Sequence, residues 1–301
     1  MSTTDLDVKV AVVTGAGQGL GRAEALELAR RGARVVVNDY GLSLHGTDES
    51  NPADDVVAEI KALGSDAISH KGDVGSWDDA HAMVDLAIET FGDLDILVDN
   101  AGILRDRMVF GMSEEEWDAV IRVHLKGHFN TTRAATAYWR DQSKAAGAPV
   151  YARVVNTASE AFLFGSPGQP NYAAAKAGIA ALTMSTAFGT GRYGVRANCI
   201  CPRAFTRMTE DVFGEKGEAL SPEAVSPLVA FLASPAAEAV TAQVFVAYGG
   251  FVGLMQAPSL EARFDAPDGM WDVDGIAGVL GEHFDGRDPS KNFSAASLRE
   301  I

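Results

Sequence analysis

Residues 9–32 read KVAVVTGAGQGLGRAEALELARRG. Residues 9–14 are rich in β-branched apolar side chains and predict a buried strand, and the last eleven residues carry apolar positions at helical spacing. Between them stand Gly15, Gly19 and Gly21, with Gln18 and Leu20 interleaved. Strand, glycine turn and helix in that order form a cradle for the phosphates of a dinucleotide. Glycine lets the backbone approach the pyrophosphate, and the helix start offers free N–H groups and the positive end of its dipole. A glycine cluster alone is only a tight turn; the strand before it and the helix after it supply the context that the phosphate reading requires.

Gly32 stops the helix, and 33–38 (ARVVVN) predicts a second strand that ends at Asp39. An acidic side chain there can accept both hydroxyls of an adenosine ribose and would repel a 2′-phosphate. No Arg or Lys lies between Gly15 and Gly21 to receive such a phosphate. Both features favour NAD over NADP.

The pattern then repeats. A polar stretch at 41–51 precedes a helix from Pro52 to Leu63, and strand 66–70 leads to Asp73 and Val74, where an adenine ring could lie. Ser76 to Asp79 has the spacing of a capping box opening a helix to Phe91. Strand 94–98 runs straight into Asn100, Ala101 and Gly102, small residues past which a cofactor can run close. Ser113 to Glu116 caps a helix expected to reach Ser143. Strand 151–157 delivers Ser159; strand 195–200 delivers the turn from Pro202 to Thr206, whose hydroxyl could meet a nicotinamide amide. A helix at 222–233 and a strand at 243–247 complete the alternation. Strands separated by helices throughout predict an α/β fold, a doubly wound Rossmann-type parallel sheet, with ligands beyond the strands' carboxyl ends. Residues 1–255 form the single domain on this reading. Residues 256–301 change character and read as a C-terminal extension with a short helix near 275–284.

Ser159 to Lys176 reads SEAFLFGSPGQPNYAAAK. Tyr172 and Lys176 are four apart, so on a helix they share a face with only alanines between. An ammonium beside a phenol favours the phenolate, which predicts a lowered Tyr172 pKa and a general acid or base near neutral pH. Such a pair also arises by chance on amphipathic helices.

Composition narrows the partners. The 301 residues include 41 acidic and 25 basic side chains, a net charge of −16 that disfavours nucleic acid. Cys199 and Cys201 are the only cysteines. They alternate in an apolar run, which predicts core thiols rather than a disulfide framework or a zinc site. His124 and His128 are spaced i, i+4 without a third ligand, so structural histidines are expected and no metal. No signal-peptide pattern and no eighteen-residue apolar run is present. The expectation is a soluble, cytoplasmic protein without membrane contact.

Together TGAGQGLG, Asp39, DNAG, Ser159, YAAAK and the Pro202–Thr206 turn resemble the short-chain dehydrogenase/reductase family over about residues 8–250. The resemblance implies hydride transfer between an alcohol or ketone and a nicotinamide. Tyr172 would pass the proton, Ser159 would hydrogen-bond the substrate oxygen, and Lys176 would hold the nicotinamide ribose. NAGILRDRM, EEEWDAVIRVHLKGHF and VVNDYG are further similar to the (3R)-hydroxyacyl-CoA dehydrogenase unit of peroxisomal multifunctional enzyme type 2. PRAFTRMTEDVF and APSLEARF look like a bacterial subgroup acting in steroid side-chain β-oxidation, some members also on 17β-hydroxysteroids. The substrate implied is an acyl-CoA or steroid, and the assembly a homodimer or homotetramer built on the helices at 113–143 and 170–191. Two positions depart from the wider family: His124 stands where Asn is frequent, and Asp99 makes NNAG into DNAG. The rival readings are a 3-oxoacyl-thioester reductase of fatty-acid synthesis, which usually takes NADPH, and a catalytically silent NAD-binding protein. Segments 104–110, 160–170, 203–220 and the tail are expected to select the substrate. The 203–220 segment reads as a short loop, not a long lid. Arg105, Arg107, Arg203 and Arg207 are either contacts for CoA phosphates or ordinary surface charges.

Overall fold

Strand β1, Val10–Val13, has every residue buried, as a central strand of a sheet covered on both faces requires. Its side chains divide by parity. Ala11 and Val13 join the apolar cluster on one face, and Val10 and Val12 join the cluster on the other. The structure is a computed structural model that describes residues 3–41, 51–204, 220–267, 269–288, 292–295 and 297–298.

Six more strands run parallel to β1: β2 (Arg34–Asn38), β3 (Ala67–His70), β4 (Ile96–Asp99), β5 (Ala152–Thr157), β6 (Val195–Pro202) and β7 (Val244–Tyr248). The sheet order is β3-β2-β1-β4-β5-β6-β7-β8, where β8 (Phe251–Leu254) returns antiparallel along β7. The sequence pattern does not predict β8: only two residues separate it from β7, and alternate residues of β8 are exposed. Pro202 closes β6 as its last paired residue instead of opening a turn.

Parallel neighbours require crossovers, and helices supply them. Helices α1 (Gly19–Arg30) and α2 (Pro52–Ala62) cover one face, together with α8 (Ser226–Ala233). Helices α3 (Trp77–Phe91), α5 (Gly127–Ala146) and α7 (Pro170–Thr190) contribute to the other. Cys199 and Cys201 lie unpaired in a third apolar cluster, as the sequence predicts. The helix expected over 113–143 is broken: α4 (Glu114–Ile121) leads into one π-helical stretch, Arg122–Lys126, before α5. Ser113 and Glu116 do form a reciprocal capping box. At Ser76 only half of one forms, because the Asp79 carboxylate accepts from Asp73 N instead. A short α6 (Ala161–Phe164) and α9 (Val273–Phe284) complete the described helices.

Trp139 on α5 illustrates how the second face is held. It is 1% exposed and its indole N–H donates to the Leu94 carbonyl at 2.6 Å. Trp139→Ala is expected to cost about 3–5 kcal/mol, from cavity formation and an orphaned carbonyl. A lower urea midpoint at unchanged m-value would register it.

Candidate active site

The order of β1 and β4 reverses the direction in which strands are added, so a cleft opens between their carboxyl ends. Both chain segments at this cleft are drawn together by hydrogen bonds. Asn100 Nδ2 donates to the carbonyls of Thr14 (3.2 Å) and Gly15 (3.1 Å). Thr14 Oγ1 in turn accepts from the amides of Asn100 (3.0 Å) and Ala101 (3.2 Å). Gly15 has φ +61°, and a Cβ there would lie 2.8 Å from Ala101 Cα. A Cβ on Gly21 would lie 2.4 Å from the Gly15 carbonyl oxygen. These glycines are therefore required for close packing as well as for a phosphate. Gly19 has φ +54° and begins α1; Gln18 before it makes no side-chain cap and is exposed, while Leu20 is buried. The start of α1 keeps N–H groups without a side-chain cap and carries no acidic residue in its first turn.

Asp39 follows β2 and faces this turn. Its Oδ2 accepts from Gly17 N at 3.0 Å and its Oδ1 from Gly41 N at 2.9 Å. Asp73 is turned another way: its carboxylate pairs with Arg122 at 2.6 Å and accepts from Gly75 N. Val74 is buried, and its carbonyl accepts from Asn130. Pro202 stands at the same sheet edge at the end of β6, whereas Thr206 and most of the loop expected over 203–220 lie outside the described residues.

The proposed catalytic side chains arrive from β5 and α7. Ser159 lies just past β5, and its Oγ accepts from Ala161 N at 3.1 Å. Pro170 starts α7 and sets Tyr172 and Lys176 one turn apart. Lys176 is 2% exposed, donates to the Thr157 carbonyl at 2.5 Å, and holds its Nζ 5.4 Å from the Tyr172 ring centre. Burial pushes this amine down to about 7. The expected lowering of Tyr172 does not occur in the protein by itself: burial pushes the phenol up to about 12, against a hydrogen bond with Ser159 that pulls it down. The dry environment that removes water from the phenol also weakens the ammonium that was to stabilise the phenolate. Part of Tyr172 remains open to solvent, which softens the push.

His124 was read as structural, and the geometry gives that role content. Its Nε2 lies 2.8 Å from the Ile103 carbonyl and 3.0 Å from the Ile103 amide. Its ring stands edge-on to Tyr172 at 5.1 Å and would collide with any Cβ on Gly102. His128 Nδ1 bonds the His124 carbonyl at 2.7 Å. Burial, then the nearby Lys176, holds both imidazoles below their ordinary value, His128 at about 3. Both are neutral at physiological pH. Among the described residues no group of three or more His, Cys, Asp and Glu side chains could hold a metal. No described helix is long and apolar enough to cross a membrane.

Sequence reasoning missed Thr14, whose hydroxyl at the end of an apolar strand was the available signal. It also missed the pairing of Glu160 with Arg203. Two of the arginines weighed for phosphate binding are already paired: Arg107 with Glu116, Arg203 with Glu160. Arg105 donates to the Leu104 carbonyl and helps hold the Glu116 carboxyl down without forming an ion pair among the described residues, and Arg207 lies outside them.

A family profile described as short chain dehydrogenase matches residues 9–216. The chain belongs to the short-chain dehydrogenase family. It is thus an oxidoreductase of a family that typically uses NAD or NADP. Hydroxyacyl-CoA dehydrogenase ChsB1 of Mycobacterium tuberculosis is 54% identical, over 99% of this chain and 95% of that protein. Peroxisomal multifunctional enzyme type 2 of Mus musculus is 42% identical over 83% of this chain, which matches 33% of that longer protein. A short chain dehydrogenase from Mycobacterium avium has the same fold, with TM-score 0.84, 48% identity, and 94% and 97% of the two chains covered.

Asp99, the departure in DNAG, is buried beside Thr131. The Thr131 hydroxyl lies 2.8 Å from each Asp99 oxygen, 3.0 Å from the Gly127 carbonyl and 3.1 Å from the His128 carbonyl. One hydroxyl proton cannot serve four acceptors; a protonated Asp99 that donates to Thr131 resolves the conflict. Consistently, burial raises Asp99 to about 7, against hydrogen bonds from Thr131, Thr132 and Thr14. The native state thus holds a proton that the unfolded chain releases near pH 4. This contribution to stability is full below the ordinary carboxylate pKa and is lost as pH rises through about 7. Asp99→Asn should match wild type in acid and exceed it above pH 7 by on the order of 1–3 kcal/mol. Denaturant titrations across this pH range measure the gap.

Proposed function

We propose that this oxidoreductase uses NAD to oxidise the 3-hydroxyl of a 3-hydroxyacyl-CoA, a steroid side-chain thioester being one candidate, with 17β-hydroxysteroids as an alternative alcohol substrate. The observation that carries the proton-transfer part is the dry placement of Lys176 beside Tyr172, with Ser159 in hydrogen-bond contact with the phenol. The substrate class is supported by the near full-length likeness to a protein named as a hydroxyacyl-CoA dehydrogenase. Residues 1–255 carry the reaction on this reading, and 256–301 extend it.

The glycine cradle fits a dinucleotide. Cβ atoms at Gly15 and Gly21 would collide with Ala101 and the Gly15 carbonyl and displace the turn, and α1 presents its N-terminus there. Asp39 holds a carboxylate at the far side, suited to ribose hydroxyls and unsuited to a 2′-phosphate. When bound, the oxidised nicotinamide supplies the hydride acceptor and a positive charge. Tyr172, as the phenolate that this charge would favour, would take the hydroxyl proton and become a phenol as the carbinol hydride leaves to the nicotinamide. Ser159 would hold the oxygen, and Lys176 would orient the ribose and, when protonated, favour the phenolate. His124 steadies the Tyr172 ring and the Ile103 backbone. Arg105, whose guanidinium donates to the Leu104 carbonyl and forms no ion pair among the described residues, is the candidate cation for a CoA phosphate. Phe129, Met184 and Phe188 are exposed on α5 and α7, which supports pairing of copies through these helices.

Tyr172→Phe should lower kcat by roughly 10²–10⁴-fold with NAD affinity nearly unchanged. Because the phenol begins with its pKa raised, wild-type oxidation should accelerate from neutral to alkaline pH. Near-wild-type turnover in the variant would refute the assignment. Cofactor titration tests Asp39: NAD should bind at least tenfold more tightly than NADP, and Asp39→Ala should reduce that ratio by on the order of tenfold. Preference for NADPH with turnover of 3-oxoacyl thioesters of acyl carrier protein would favour the reductase reading.

A further inference from the structure

The connection between Ser159 and Tyr172, residues 160–169, necessarily borders the reacting group if those residues act together. Two distant segments are fastened to it. From the carboxyl end of the chain, Ala295 N donates to the Leu163 carbonyl at 2.7 Å and Ser294 Oγ to the Phe164 carbonyl at 3.4 Å. These are carbonyls at the end of α6, which a helix leaves without internal partners. Arg203 acts as a clasp between them: it bonds Glu160 through Nε and Nη2, at 2.5 and 2.9 Å, and also donates to the Leu298 carbonyl. The Glu160 side chain is 7% exposed and the Arg203 guanidinium lies 4.5 Å from the Tyr248 ring centre. The tail is thus seated by directional bonds at a site where water is largely excluded.

On the other side, Arg107 N donates to the Gly168 carbonyl and Gln169 Nε2 to Asp106, both at 2.8 Å. Each fastened segment exposes large apolar side chains. Phe293, beside the docked Ser294 and Ala295, is 95% exposed; Phe110 is 87% and Val109 71% exposed. None of these three belongs to an apolar core cluster. The Arg105 guanidinium, which donates to the Leu104 carbonyl, lies on the same segment as Phe110.

We propose that the docked C-terminal segment is the outer wall of the substrate pocket and that Phe293 is its specificity-determining residue, covered by a bulky apolar acyl group. This rests on the thioester reading above and extends it. An apolar acyl group against Phe293 and Phe110, with anionic CoA toward Arg105, accounts for a rim that is apolar in one part and cationic in another. Phe293 is exposed and belongs to no core cluster, so its truncation tests substrate choice without disturbing the fold.

Steady-state kinetics of wild type, Phe293→Ala, Phe293→Leu and a chain ending at Asp288 test this, using 3-hydroxybutyryl-CoA and a long-chain or steroid-bearing 3-hydroxyacyl-CoA. Phe293→Ala should raise KM for the bulky thioester about tenfold, a size typical of lost apolar contact in a pocket. Its kcat, and both constants for 3-hydroxybutyryl-CoA, should stay within about twofold. Phe293→Leu should recover most of the loss, and the shortened chain should reproduce or exceed it. Melting temperatures should match wild type, since no described residue after Asp288 belongs to a core cluster. Equal KM changes for both thioesters, or no change for either, would overturn the proposal while leaving the dehydrogenase reading intact. If wild type binds NAD yet turns over neither thioester, the substrate reading itself fails and this inference falls with it.

Discussion

The architecture depends on the clasp between the ends of β1 and β4. Asn100 donates to two successive carbonyls, and the Thr14 hydroxyl accepts from two successive amides. At a topological switch point no neighbouring strand satisfies these groups, because the helices leave on opposite faces. Side chains must replace the ladder. The result holds the glycine turn rigidly against the loop after β4 and leaves room only for residues without a Cβ at Gly15 and Gly21. A preorganised cradle of this kind avoids the cost of ordering a loop when a phosphate arrives.

Behind the clasp, desolvation governs the electrostatics. Asp99, His124, His128 and Lys176, from three segments of chain, are all fully or almost fully buried, and each is driven toward its neutral form. This is the reverse of a surface ion-pair network, in which neighbours hold one another charged. A neutral acid can donate to Thr131, and a neutral imidazole can sit edge-on to Tyr172 without competing with Lys176 for it. The site is therefore poised to respond to one incoming positive charge, because no fixed counter-charge is there to cancel it.

The periphery follows different rules. Glu160 and Arg203 remain an ion pair, with two-pronged geometry and a carbonyl from the tail completing the guanidinium's bonding. Such a pair adds little net stability but fixes direction well. It joins α6, the end of β6 and the carboxyl terminus at one point, so the lip of the cleft is defined by side-chain geometry more than by apolar packing.

Much of this was legible in the chain itself. Periodicity, glycine spacing and the Tyr172–Lys176 interval determined the alternating elements, the cradle and the helix face bearing the proposed catalytic pair, because these are local consequences of backbone geometry. Cys199 and Cys201 as core thiols, and His124 and His128 as structural residues, also followed from local pattern, whereas the burial that keeps both imidazoles neutral did not. What the tertiary structure alone decided involves groups far apart in sequence. Strand β8 has half its side chains exposed and exists because β7 offers an open edge. The π turn at Arg122–Lys126 carries no breaker residue. Asp73 faces Arg122, Asp99 is hydrogen-bonded to Thr131, and Arg203 is committed to Glu160, each across 32 residues or more. The high Tyr172 pKa is of the same kind: spacing brings a lysine near a phenol, but only the packed interior determines how much water either one keeps.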